Sequence, residues 1–225
     1  MLFNLFNSNL SIPEIILYVL ISAFCVLLSI SVHELSHGLA AYAMGDETAK
    51  SSGRLSLNPF SHLDPIGAIC LFLFGFGWAK PVPVNPWRFK NKKLGMVITA
   101  LAGPFSNFLM AFIAQIGVAV IGKMQFTSAS LGFNIASAAY TLCYYLVMIN
   151  VGLGLFNLIP IPPLDGSKVL NAFLPERIYF KIMEYERFGF IILILLINTP
   201  ILGGFLTAGR NAIMSLFDNI IKLFI

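Results

Sequence analysis

The stretch from Pro13 to Met44 constrains the fold most, because it is apolar over a length that few soluble helices reach. Beyond its first two residues, its only acidic, basic or imidazole side chains are His33, Glu34 and His37. The chain has 225 residues, 58% of them hydrophobic and 11% charged, and its mean hydropathy is +0.85. A soluble domain of this composition would expose a sticky surface. We therefore expect a single integral membrane domain over residues 1–225.

The apolar segments predict helices. They are apolar in long runs, whereas strands of a transmembrane barrel alternate apolar and polar residues, and lipid-exposed backbone must satisfy its own hydrogen bonds. Beyond the first helix, the predicted spans are 94–121, 133–158, 187–199 and 201–222. The run 66–79 is short for a crossing and predicts a re-entrant or interfacial segment. The expected fold is an all-α polytopic membrane protein with about five transmembrane helices.

The first helix has recognisable ends. Ser11 and Glu14 have the spacing of a capping box, Pro13 suits the first turn, and Gly45 is the expected stop after Met44. At 1.5 Å per residue this helix is about 48 Å long, whereas the hydrocarbon core is roughly 30 Å thick. Its polar end must therefore reach a water-accessible cavity or protrude from the membrane.

The distribution of lysine and arginine predicts the orientation. The loop 80–93 and the segment 166–187 are rich in both residues, whereas the loop 122–132 contains only Lys123. If the two basic segments are cytoplasmic, the N-terminal end lies outside and Lys222, near the C-terminal end, lies inside. Basic residues placed between apolar runs fit this topology better than nucleic-acid binding, so no nucleic-acid partner is expected.

His33 and His37 are four residues apart, which places them on one face of a helix, one turn apart. Two imidazoles at this spacing can hold a zinc ion, and Glu34 beside them can accept a proton from zinc-bound water. The alternative is a hydrogen-bonded polar patch between helices. We predict one zinc ion per chain.

A catalytic zinc site needs a third protein ligand, with water in the fourth position. The candidates are His62, in the Pro-flanked loop LNPFSHLDPIG, and Asp165, in NLIPIPPLDGSKV. With the orientation above, both lie on the cytoplasmic side, at about the depth of the two histidines. Position alone therefore leaves both candidates open.

Several motifs resemble the site-2 protease family of intramembrane zinc metalloproteases, particularly its small members without PDZ or CBS domains. These motifs are HELSH at 33–37, LAGPFSN at 101–107, NLIPIPPLDG at 157–166, SGRLSLNPFSHLDPIG and WAKPVPVNP. The resemblance covers about 29–190. It implies His33, His37 and Asp165 as zinc ligands and Glu34 as the general base. The family's DGG reads DGS here, with Ser167 in place of the second glycine.

The resemblance also implies roles around the site. Asn107 would donate a hydrogen bond to the substrate carbonyl or its oxyanion, and the alternative is an interhelical hydrogen bond. Asn157 is predicted to be structural. Segments Gly45–Phe60 and Pro81–Pro86 are expected to form short cytoplasmic-side strands, to which an extended substrate could add. The alternative is that these segments are ordinary polar loops.

The predicted function is zinc-dependent cleavage of membrane-embedded proteins. Expected partners are a transmembrane protein substrate, membrane lipid and a regulatory membrane protein. One alternative is a zinc transporter that uses the same residues, although no symmetric repeat is visible. Another is a prenyl-protein-processing type of HExxH protease, which the LDG motif disfavours. The absence of organelle signals favours a bacterial or archaeal cell membrane.

Overall fold

The computed structural model describes residues 11–67, 78–124, 131–175 and 199–224, together with 178, 189, 192, 193, 195 and 196. These residues are mostly helical. The helices are α1 (Ile12–Ala43), α2 (Thr48–Ser51), α3 (Lys92–Lys123), α4 (Leu131–Asn157), α5 (Asp165–Ala172) and α6 (Pro200–Ile221), with 3₁₀ turns at Pro59–Ser61 and Pro86–Arg88. Among the described residues, α1, α3 and α4 are long and apolar enough to cross a membrane.

Helix α1 has the ends that its sequence predicts. The backbone N–H of Ser11 donates to Glu14 Oε2 at 2.8 Å, which forms the capping-box bond, and Pro13 lies in the first turn. At the other end, Gly45 has a φ of 103°. This left-handed conformation is accessible to glycine at little cost, so the helix ends there.

Helices α1, α3 and α4 pack through small residues, with α3 antiparallel to the other two. His37 contacts the Thr99 carbonyl near the start of α3, whereas Ser29, two turns earlier in α1, contacts Asn107. A methyl group at Gly154 of α4 would meet the Phe108 ring of α3 at 2.7 Å. Glycine at such positions lets membrane helices approach closely. The three helices therefore form one tight bundle.

The direction of α6 differs from the predicted topology. Successive neighbours along the chain are Leu202 with Leu164, Gly209 with Leu155, and Phe217 with Val147. Residue numbers rise along α6 as they fall along α4, so the two helices are antiparallel. Lys222 therefore lies on the same side as Ser11, and the predicted placement of these two residues on opposite sides is wrong.

The cause lies in the predicted span 187–199, much of which falls outside the described residues. Leu193 clusters with Ile159, Leu164 and Leu202, so positions 193 and 202 lie at one level of the bundle. A run of thirteen residues is about 20 Å long as a helix, which is short for a crossing. Leu193 is apolar because it packs in the core, being 1% exposed. The described residues thus place position 193 and the start of α6 on the same side of the bundle.

This topology predicts which basic residues share a side. In a background without native cysteines, cysteines introduced at Lys123 and Lys222 should react with a membrane-impermeant reagent from the same side, and a cysteine at Lys92 from the opposite side. Sealed vesicles of known orientation provide the measurement. Reaction of the Lys222 position together with the Lys92 position would contradict the direction of α6.

The predicted strands do not form in the described residues. The segment Gly45–Phe60 contains α2 and the start of a 3₁₀ turn. Residues 81–85 form no strand pairing before the 3₁₀ turn that begins at Pro86, although their closely spaced prolines favour an extended backbone. Proline has no N–H to donate to a ladder, so the spacing of prolines in the second segment opposes a sheet. One isolated antiparallel bridge joins Leu63 and Ala79. The predicted re-entrant run 66–79 lies largely outside the described residues.

Candidate metal centre

Two helices bring three metal-ligating side chains to one point. Helix α1 presents His33 and His37 one turn apart, and α5 begins with Asp165 after the proline-rich turn. The two histidine Nε2 atoms are 2.9 Å apart, and they lie 3.2 Å and 3.1 Å from Asp165 Oδ2. All three side chains are buried. Within the described part of the chain, these three residues are the group that could hold a metal ion.

The hydrogen bonds on the far side of each ring show that this group fits a cation. His37 Nδ1 lies 2.6 Å from the Thr99 carbonyl, which can only accept, so its proton is on Nδ1. His33 Nδ1 faces Asn107 Oδ1 at 2.6 Å, with the same consequence. Both Nε2 atoms then present lone pairs toward Asp165 Oδ2, a buried oxygen without a hydrogen-bond partner. Converging lone pairs repel unless a cation lies among them, and this N, N, O donor set suits zinc.

Glu34 lies beside this group without belonging to it. It follows His33 by about 100° around the helix, it is 9% exposed, and its Oε2 accepts a hydrogen bond from the Val82 N–H at 2.9 Å. Its carboxylate is therefore held beside the metal group by the extended segment 80–85. This placement is compatible with the predicted role of Glu34 as a general base.

The segment 80–85 is itself attached at both ends. The Lys80 N–H donates to the His62 carbonyl at 2.8 Å, and the Asn85 N–H donates to Asp46 Oδ2 at 2.6 Å. Asp46 is fully buried just after the end of α1. These bonds connect the position of the Glu34 carboxylate to the loops around the site.

His62, the other candidate for third ligand, has a different role. It is fully buried, and its Nε2 donates to the Ser56 carbonyl at 2.7 Å. It stands outside the metal group that Asp165 completes. His62 therefore stabilises the loop that holds the segment 80–85.

Asp46 is the charged residue in this set of loop contacts. Burial alone would raise its pKa, but hydrogen bonds from the Thr48 hydroxyl and from the Asn85 and Thr48 N–H groups, with the charge of Arg88, hold the pKa of the carboxyl below its usual value. Such a depressed pKa stabilises the fold above the unfolded value of about 3.9, and this contribution is lost as the pH falls through the folded pKa.

Replacing Asp46 by alanine should destabilise the protein at pH 7 by about 1–3 kcal/mol, because buried donors lose their acceptor. The difference from wild type should shrink as the pH falls below about 4. Thermal unfolding of the detergent-purified protein at several pH values measures both effects. Glu47→Ala is the matched control, since Glu47 is an exposed acidic neighbour. Equal destabilisation by the two substitutions would contradict this role of Asp46.

Gly103 is a site residue that the sequence reasoning missed. A methyl group at this position would overlap the rings of both His33 and His37. The next residue, Pro104, has no N–H for the Ala100 carbonyl, so helical hydrogen bonding is interrupted at the level of the histidines. A Gly-Pro pair inside an apolar helix was the available signal.

Asn107 is also placed differently from its predicted role as a donor to substrate. It is fully buried, its Oδ1 faces His33, and its Nδ2 donates to Asn150 Oδ1 at 2.7 Å. Both ends of the amide are thus engaged between helices. These contacts support the alternative, an interhelical hydrogen bond. Asn157, which is predicted to be structural, donates to the Leu153 carbonyl of its own helix at 3.1 Å.

Lys168 is a further contact that the motifs did not reveal. Its Nζ donates to Asp165 Oδ1 at 3.2 Å, one turn further along α5. This bond occupies the carboxylate oxygen that points away from the histidines. It therefore favours coordination of a metal ion through Oδ2 alone.

Comparison with known proteins gives consistent matches. Residues 21–197 match the model of peptidase family M50. The chain is 38% identical over 204 residues to YwhC of Bacillus subtilis (strain 168), covering 88% of this chain and 90% of that protein. It is 29% identical over 149 residues to "Zinc metalloprotease MJ0392" of Methanocaldococcus jannaschii, covering 66% of this chain and 33% of that protein. It is 30% identical over 126 residues to "Protease RseP" of Photorhabdus luminescens, covering 46% of this chain and 56% of that protein. No solved structure matches significantly.

Proposed function

Since this chain belongs to peptidase family M50, we propose that it cleaves peptide bonds of membrane-embedded protein substrates. It is an integral membrane metalloendopeptidase with zinc as its cofactor. The observation that carries the proposal is the location of the metal group between apolar helices. That location supports a substrate that reaches the site from within the membrane.

The depth of the site can be estimated along α3. Gly103, which lies against both histidines, is about 16 Å along the helix from Lys92 at 1.5 Å per residue. The roughly 30 Å hydrocarbon core therefore extends beyond this level. A peptide bond that reaches the site from the membrane belongs to a segment at the same depth, such as an unwound transmembrane helix.

The protein's residues divide the chemistry among them. His33, His37 and Asp165 would hold the zinc ion, which supplies a Lewis acid that makes a water nucleophilic at neutral pH. Glu34 would take the proton of the attacking water and return it to the nitrogen of the leaving amine. The Val82 N–H occupies its Oε2, so we assign the proton transfer to Oε1.

The extended segment 80–85 supports a way of presenting the substrate. A scissile bond must leave its helix before it can be attacked, and its backbone groups then need new partners in a water-poor site. The backbone beside Glu34 can offer mainly carbonyl acceptors to an unwound chain, because Pro81 and Pro83 have no N–H and the Val82 N–H is bonded to Glu34. We accordingly propose a single-span membrane protein as the substrate, with a regulatory membrane protein as a further partner.

A paired assay separates this function from zinc transport. Purified protein is reconstituted in liposomes with a single-span test substrate, and substrate cleavage and zinc flux are both recorded. We expect cleavage that stops when a chelator removes zinc, and no flux above that of empty liposomes. Zinc flux without cleavage would contradict the proposal and favour the transporter.

A further inference from the structure

Two buried amides lie directly behind the metal centre. Asn107 on α3 and Asn150 on α4 are both fully buried among apolar helices. Asn107 Nδ2 donates to Asn150 Oδ1 at 2.7 Å, and Asn107 Oδ1 lies 2.6 Å from His33 Nδ1. Amide groups without partners would be costly at this depth. The two side chains therefore connect α4 to a ligand on α1.

At the α4 end of these hydrogen bonds, the partners of Asn150 determine which end of its amide donates and which accepts. Asn150 Nδ2 donates to the Leu146 carbonyl at 2.8 Å and to Ser29 Oγ at 2.8 Å. The Ser29 hydroxyl donates in turn to the Cys25 carbonyl at 2.6 Å, which leaves its lone pairs for the amide. A backbone carbonyl can only accept, so the NH₂ group of Asn150 must face Leu146. Its oxygen must then face Asn107.

The orientation of the Asn107 amide, and through it the tautomer of His33, is determined by the neighbouring acceptors. Asn107 Nδ2 also lies 3.4 Å from the Ser29 carbonyl, so its NH₂ group faces Ser29 and Asn150. Asn107 Oδ1 is left facing His33, where it can only accept a proton from Nδ1. The reversed amide would present N–H groups to Nδ1 and drive the imidazole proton to Nε2, on the metal side.

We propose that Asn150 is a positioning residue of the metal centre, acting through Asn107 to hold His33 in the orientation and tautomer that present the Nε2 lone pair to zinc. The proposal rests on the metal-binding role of His33 and is independent of what the protein cleaves. It assigns a function to a residue outside the HELSH and LDG motifs.

The test is the zinc affinity of the detergent-purified protein, measured by chelator competition. Loss of a hydrogen-bond partner behind a ligating histidine typically weakens metal binding about 10- to 100-fold. We expect Asn107→Leu to fall in this range and Asn150→Leu near its lower end. Asn150→Asp should bind nearly as tightly as wild type, because a neutral carboxylic acid keeps one oxygen for Asn107 and one O–H for Leu146.

Gln115→Leu is the matched control. Gln115 is a buried amide on the same helix as Asn107, and its Nε2 donates to Asp218 Oδ1 of α6 at 2.8 Å. This substitution removes an interhelical hydrogen bond away from the metal group, so it should lower thermal stability and leave zinc affinity unchanged. It separates general loosening of the bundle from an effect on His33.

Cobalt(II) in place of zinc gives a second readout that a purely structural role would not change. The visible absorption of the cobalt-loaded protein should change in Asn150→Leu and stay as wild type in Gln115→Leu. Equal zinc affinities and identical cobalt spectra for these two variants would overturn the proposal. Weakened zinc binding in Asn150→Leu would uphold it even if the wild-type protein cleaved no membrane substrate, an outcome that would reject the proposed function alone.

Discussion

Glu34→Gln should lower the rate of cleavage of a reconstituted membrane substrate by at least about 100-fold and leave zinc bound. Removing a general base typically costs 10²- to 10⁴-fold, because glutamine cannot take the proton of the attacking water. Glutamine keeps an oxygen that can accept the Val82 N–H, a bond of 2.9 Å in the wild type. Since Glu34 lies outside the metal group, the zinc content should equal that of wild type.

Initial rates and metal content of the same preparations provide the measurement. Val82→Ala is a suitable control, because it keeps the backbone N–H that contacts Glu34 and should retain most of the activity. A Glu34→Gln protein that cleaves at a rate near wild type would show that another group is the base. Loss of zinc from this variant would place Glu34 among the ligands.

Asp165→Ala should reduce the zinc content from one ion per chain to nearly none, and cleavage should stop with it. The substitution leaves two of the three ligands that a catalytic zinc site needs. It also removes the only carboxylate oxygen within 3.2 Å of both histidine Nε2 atoms among the described residues. Metal analysis after dialysis against a weak chelator measures the loss.

His62→Ala distinguishes the two candidates for the third ligand. The His62 side chain donates to the Ser56 carbonyl, so its removal should destabilise that loop and leave zinc in place. Zinc loss from His62→Ala combined with full occupancy in Asp165→Ala would contradict the arrangement of the site described above.

The sequence predicts the first helix well because its signals are local. The hydrogen bond from Ser11 to Glu14 and the positive φ of Gly45 depend on residues within one turn of each end. The direction of α6 has no such signal. It depends on whether the apolar residues before α6 cross the membrane, and a residue that packs in the core, such as Leu193, is as apolar as one that faces lipid.

In the site, too, local features could be predicted from the sequence and contacts between distant residues could not. The spacing of His33 and His37 predicts one helical face, and the resemblance supplies Asp165, which the residues alone could not separate from His62. Asn150 could not be predicted, because its partner Asn107 is 43 positions away in the sequence. Contacts between residues so distant depend on how the helices pack.

The position of the cut in a substrate shows whether this metalloprotease acts within the membrane. A single-span substrate is incubated with wild-type protein in liposomes, and both fragments are identified by mass spectrometry. We expect a cut inside the hydrophobic segment, at a depth of about 16 Å from the cytoplasmic boundary, and no cut with Glu34→Gln. Cleavage confined to the soluble part of the substrate would contradict this expectation.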